Sequence, residues 1–211
     1  MGSRMIHLCV AKAILKRIPL KEELFILGNL APDAYNPQNV GYAHTHFRIP
    51  EETMEKECID LGSFLDKYQS HLNDHFVLGY YCHLISDNIW LKNAYEKYGG
   101  LSLEDREEAV RRVYRDYSIL NGMLIKTYEL ETLQIPVSLI TCMTEIEMEH
   151  MNRLLENLNG DFARPRPAGE PTELSYEETM EFINHAASEC VKAIHVQGAK
   201  ESGGILENPN H

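Results

Sequence analysis

From Phe76 to Trp90 the chain reads Phe-Val-Leu-Gly-Tyr-Tyr-Cys-His-Leu-Ile-Ser-Asp-Asn-Ile-Trp. Wound as a helix, this segment is apolar on nearly every side, and a helix without a polar face is covered all round. Two ionisable side chains are set into it nevertheless. His83 and Asp87 lie one helical turn apart and so share a face, with Gly79 one turn earlier on the same stripe. A buried imidazole and carboxylate left bare would cost several kcal/mol, on the order of the penalty for any buried unpaired polar group. Pairing, hydrogen bonding or a metal ion must answer them, and the rest of the chain has to supply the answer.

The remaining sequence is helical in pattern. Val and Ile do not gather into short alternating runs, as strands would require. His7, Val10, Ala11 and Ile14 form one stripe of a first helix, with Lys12 and Lys16 facing away. A second helix is expected from Lys21 to about Leu30, stopping ahead of Pro32. The stretch 31–49 is irregular and rich in Pro, Asn, Gly and aromatic residues, and loops of that length inside a compact domain are more often functional than idle. Pro50-Glu51-Glu52 predicts a helix start running to about Tyr68. The central helix is expected from Leu72 or Asn73 to Tyr98, ended by Gly99-Gly100. Ser102 opens another, carrying Val110, Val113, Tyr117 and Leu120 on one face. Ile135-Pro136 predicts a helix reaching Leu158, and Ser175 with Glu178 forms a capping box ahead of a last helix, Tyr176 to about Val196. The expected architecture is all-α: a single helical domain over residues 1–200 and a flexible tail over 201–211.

Charge narrows the partners. Twenty basic and 32 acidic residues give a net charge of −12. That argues against broad nucleic-acid binding or an anionic membrane surface, both of which need a basic face. A small anionic substrate stays compatible, because bound metal ions supply local positive charge. No apolar run reaches the roughly 18 residues of a transmembrane segment. Cys9, Cys58, Cys82, Cys142 and Cys190 are odd in number and widely spaced, the usage of buried thiols in a reducing, cytoplasmic setting rather than of a disulfide framework. Neither the physiological metal nor an oligomeric state is specified by such patterning.

Four groups of residues could carry chemistry: His7 on the first helix, Asp33 just after the second, His44 and His46 in the loop, and His83 with Asp87. Imidazole and carboxylate are the ligand set that zinc and other divalent first-row ions favour. Ligands at i and i+4 of a rigid helix reach one ion without backbone movement, and loops then supply the rest. Each signal alone has a bland reading: a satisfied core histidine, a turn aspartate, a local His–Asp hydrogen bond.

Their order along the chain resembles the zinc-dependent phospholipase C family, which includes bacterial phospholipases C and the catalytic domain of glycosylphosphatidylinositol-specific phospholipase D. The resemblance is carried by His7-Leu8, by Ala31-Pro32-Asp33-Ala34-Tyr35-Asn36-Pro37, by Thr45-His46-Phe47, and by Gly79-x-x-x-His83-x-x-x-Asp87. It covers about the first ninety residues and implies an all-helical fold of the phospholipase C and single-strand nuclease type. It also implies that Asp33, His46, His83 and Asp87 surround one metal, that Asp87 bridges to a second near His7, and that Asp33 acts as orienter or general base for an activated water. The activity implied is metal-dependent hydrolysis of a phosphodiester or related phosphate ester.

The chain departs from that family's pattern further on. Its enzymes carry another histidine soon after the central pair and then a His-x-x-x-Glu. Here Leu91 occupies the first position, and His185-Ala186-Ala187-Ser188-Glu189 repeats the spacing far too late in the chain. A reduced site of one or two ions is therefore expected. The alternative is a non-catalytic protein whose His and Asp residues hold a structural metal or a buried polar network. His71, His75 and His150 read as solvated, Trp90 as core, and Tyr35 as a residue lining the cleft.

Overall fold

In a computed structural model, described here for residues 3–35, 41–49, 59–139 and 143–203, the described residues form eight α-helices and no strand. These are α1 (Arg4–Leu15), α2 (Glu22–Leu30), α3 (Tyr42–Thr45), α4 (Leu61–Tyr68), α5 (His75–Tyr98), α6 (Leu103–Thr127), α7 (Met148–Ala163) and α8 (Tyr176–Gly203). None of them is long and apolar enough to cross a membrane.

The central helix is α5, buried without interruption from Phe76 to Asp87. It begins at Asp74, whose side chain accepts from the Phe76 amide, slightly later than the hydrophobic pattern predicts. Helix α2 crosses it at very short range through two glycines. A Cβ on Gly28 would lie 1.9 Å from the Phe76 carbonyl oxygen, and one on Gly79 would lie 2.2 Å from that of Phe25. The crossing therefore exists only because both positions lack a side chain. Helices α1 and α8 pack alongside, and α1 is so enclosed that every residue from Met5 to Ala11 is buried.

Local signals explain most helix starts. Ser3 caps α1, Asp60 caps α4, Ser102 caps α6, and Ser175 with Glu178 makes the reciprocal capping box before α8. Other expectations need correction. The helix predicted from Ile135 to Leu158 is a 3₁₀ turn at Val137–Leu139 and a separate α7 that passes Asn159-Gly160 and ends at Ala163. Helix α8 runs beyond Val196 to Gly203. Val110 is 46% exposed, because α6 buries the stripe Ala109, Val113, Tyr117, Leu120, Leu124 instead. The helix start at Pro50, with Cys58 and Cys142, lies outside the described residues, as does the tail from 204 onward. Cys9, Cys82 and Cys190 are buried free thiols.

Candidate metal centre

Three segments bring the predicted ligands to one place. Helix α5 presents His83 and Asp87, both essentially without solvent exposure. After α2 the chain tightens into a 3₁₀ turn, Ala31–Asp33, because Pro32 cannot continue an α-helix, and Asp33 projects from it with 14% of its side chain exposed. Short α3 ends on His46, which is also fully buried. The next residue, Phe47, takes a φ of +50°, a left-handed conformation that costs a non-glycine residue about 1–3 kcal/mol. Packing on Phe64 and Tyr80 and a hydrogen bond from the Asp60 amide hold it there, so His46 is aimed by a turn that the surrounding aromatics impose.

Tautomers follow from partners. His83 Nδ1 lies 2.7 Å from the Asn29 carbonyl oxygen, and His46 Nδ1 lies 3.0 Å from that of Tyr42. A peptide oxygen only accepts, so each Nδ1 carries the proton and each Nε2 presents a lone pair. Those two Nε2 atoms face each other at 3.2 Å. Around them, Asp33 Oδ1 is 3.5 Å from His46 Nε2, and Asp87 Oδ2 is 3.6 Å from His46 and 3.7 Å from His83. With both rings neutral, two imidazole lone pairs join the carboxylates of Asp33 and Asp87 around this point. Ligands on a tetrahedral ion with bonds of about 2.0–2.1 Å sit about 3.3 Å apart, close to the 3.2–3.7 Å found between these neighbouring donors.

A second group adjoins the first. His7 Nε2 lies 3.2 Å from Asp87 Oδ1, yet neither atom makes a well-directed hydrogen bond, and His7 stacks on His83 with ring centroids 3.8 Å apart. His7, His83 and Asp87 therefore form one candidate triad, and Asp33, His46 and His83 another, with His83 common to both. Buried polar atoms this close and without a well-directed hydrogen bond could be satisfied by a shared cation. The donor set fits a divalent metal: Asp33, His46, His83 and Asp87 could hold one ion, and His7 with Asp87 could extend to another.

Electrostatics agree with that reading. Burial lowers the pKa of His46 and of His7, keeping both imidazoles neutral as ligation requires. Burial would raise the Asp87 carboxyl, but His7 and His83 outweigh it and hold it well below the usual carboxylate range. Burial likewise opposes ionisation of Asp33, and His46, His83 and His7 override it downward. Burial also works against a charged His83, yet the carboxylates of Asp87 and Asp33 raise its pKa, so without a metal a proton is drawn to this ring.

The supporting residues are not legible from motif spacing. Tyr42 donates its hydroxyl to Asp87 Oδ2 at 3.0 Å and stacks on His46 at 3.6 Å between centroids. Tyr80 donates to the Thr45 carbonyl, fixing the turn that carries His46. Other predicted candidates are placed elsewhere. His44 is exposed, and His185 is exposed beside a separate groove lined by Trp90 and Phe182. His150, read as solvated, is 7% exposed and paired with Glu147, because α7 turns that side toward the interior. His71 is exposed, and half-buried His75 accepts the Lys21 amide hydrogen. Leu91 packs half-buried against the core. Tyr35, as expected, lines the cleft onto which Asp33 opens.

Comparison of the chain with protein-family models, with curated proteins and with solved structures finds no match.

Proposed function

We propose that this chain is a metal-dependent hydrolase of phosphate esters, a short and divergent relative of the zinc-dependent phospholipases C. One observation carries the reading: the Nε2 atoms of His46 and His83 lie 3.2 Å apart, with Asp33 Oδ1 3.5 Å from His46 and Asp87 Oδ2 3.6 and 3.7 Å from the two rings. A divalent ion bound at such a point supplies a Lewis acid for a phosphoryl oxygen and lowers the pKa of a bound water to about 7.

The chain's own residues supply the rest. Asp87 is anchored by Tyr42 and is almost fully buried, which suits it to holding charge rather than moving protons. Asp33 differs, since part of its carboxylate reaches the cleft. It is the one member of the set that can accept a proton from a water on the open side and orient that water toward a substrate. The buried imidazoles, fixed by the Asn29 and Tyr42 carbonyls, keep the geometry rigid.

The test is metal analysis of the purified chain, followed by hydrolysis of bis(p-nitrophenyl) phosphate by zinc-loaded protein. Metal uptake with turnover that Asp33→Asn abolishes is the expected result. A protein that folds normally, binds no divalent metal and turns nothing over would dispose of the proposal. The non-catalytic reading, a structural metal or buried network, draws on Leu91 standing where the family pattern has a histidine. Zinc binding that raises stability without any turnover would favour it.

A further inference from the structure

The cleft of about 410 Å³ onto which Asp33 opens has an uneven wall. In a chain of net charge −12, it gathers Arg4, Arg153 and Arg164 against a single carboxylate other than Asp33, that of Asp161. Asp161 is buried and serves two of the three: Arg4 and Arg164 each approach it at 3.0 Å. Arg153 is exposed and pairs with no carboxylate among the described residues. Three guanidinium groups against one carboxylate leave the wall with surplus positive charge. Tyr35 and the 54% exposed Tyr114 line the same cleft, giving it aromatic faces beside the cationic ones.

We infer that this wall is a subsite for a second anionic group of the substrate, a phosphate or carboxylate carried on the part of the molecule that does not react. The inference rests on the phosphate-ester reading of the metal centre and narrows its substrate class. A headgroup with a cationic second group, such as choline, would meet three arginines and be disfavoured, whereas a small organic phosphate with a further acidic group would be held at both ends. Guanidinium suits the role, because its fixed fork of donors matches carboxylate and phosphate oxygens. Like-charge rejection adds selectivity beyond attraction.

Two measurements test this, with Arg153→Glu as the informative variant because the side chain is exposed and pairs with no carboxylate among the described residues, and Lys192→Glu on the exposed face of α8 as the charge-reversal control. The first is binding of inorganic phosphate to metal-free protein, which does not depend on the metal centre. Arg153→Glu is expected to weaken it about tenfold or more, the scale of one charge-assisted contact, and Lys192→Glu to leave it within twofold. The second is kcat/KM of zinc-loaded protein for p-nitrophenyl phosphodiesters of glycolate, with an anionic second group, and of choline, with a cationic one. The glycolate ester should lead by about tenfold, and Arg153→Glu should remove that lead. Equal effects of the two charge reversals on phosphate binding, or a choline ester used as well as the glycolate ester, would overturn the subsite. A failure to bind zinc or to turn over either ester would instead count against the metal-centre reading, with the phosphate measurement still deciding the subsite.

Discussion

At the scale of single residues, the candidate metal centre is held in place by atoms outside its possible ligand set. Tyr42 is the clearest case, since its hydroxyl is the donor to Asp87 Oδ2 and its ring covers His46. Removing only the hydroxyl, by Tyr42→Phe, should leave the fold intact and weaken divalent-metal affinity by about 10–100-fold, as losses of outer partners typically do. Competition with a chromogenic chelator reads this directly, and an unchanged affinity would mean that Tyr42 does not orient Asp87. Asp33→Asn should be more severe, losing over about 100-fold, because it removes a ligand charge rather than its support. The residue scale also marks how far the sequence can be read. His83, Asp87 and Gly79 were legible because helical spacing alone places them on one face. Asn29 and Tyr42 contribute through a backbone oxygen and a hydroxyl reaching across the fold, and no spacing encodes such contacts.

At the scale of elements, the crossing of α2 over α5 links packing to chemistry. Gly79 admits the α2 backbone, and the same stretch of α2 delivers the Asn29 carbonyl that fixes the His83 tautomer. Gly79→Ala forces a methyl group against the Phe25 carbonyl and should destabilise the fold by about 3 kcal/mol or more, the upper range for overpacking. It should also reduce metal affinity in whatever fraction stays folded. Urea denaturation showing a loss under about 0.5 kcal/mol would contradict the close approach. Hydrophobic patterning read the helices well where the apolar run is dense enough to be enclosed, as in α1 and α5. It put Val110 on the wrong face of α6, because that residue sits among charged neighbours where an apolar side chain carries little information about facing, and it started α7 too early, because Ile135-Pro136 leads into a 3₁₀ turn rather than the helix it resembles. A further element-level contact lies where the segment before α7 meets α4. There Glu145, with its side chain 1% exposed, accepts from Lys67 and Tyr68. Burial raises its pKa, but Lys67 and Tyr68 more than offset that, leaving it below the ordinary value. A depressed carboxylate contributes stability that is present above the unfolded pKa of about 4.3 and lost as pH falls through the folded value. Glu145→Gln should therefore cost about 1–2 kcal/mol at pH 7, with the gap to the wild type closing as pH falls through the folded value. A gap independent of pH in paired denaturation curves would rule out the ionic contribution.

At the scale of the whole molecule, the buried centre makes stability conditional on what fills it. Without a metal, Asp87 stays ionised and His83 is the ring that draws a proton. The sign follows from the direction of each shift. A histidine whose folded pKa is raised stabilises the fold below its unfolded value of about 6.5, and that contribution fades as pH rises through the folded value. The depressed Asp87 works oppositely, contributing above the ordinary carboxylate range and failing only in strong acid. A divalent ion needs the neutral His83 and must displace its proton, so metal and acid compete for one site. Zinc at a hundredfold excess over its Kd should add about 2.7 kcal/mol at pH 8, raising Tm by roughly 5–10 °C for a chain of this size. At pH 5.5 the same total zinc should give a clearly smaller rise, because protonated His83 weakens binding. Differential scanning calorimetry with zinc and with a chelator at both pH values separates the outcomes. A zinc-dependent rise of equal size at pH 5.5 and pH 8 would place the ion away from His83. No rise at either pH would leave the converging lone pairs of His46 and His83 to be satisfied by protons alone, and the centre would then be a buried polar network holding α2, α3 and α5 together.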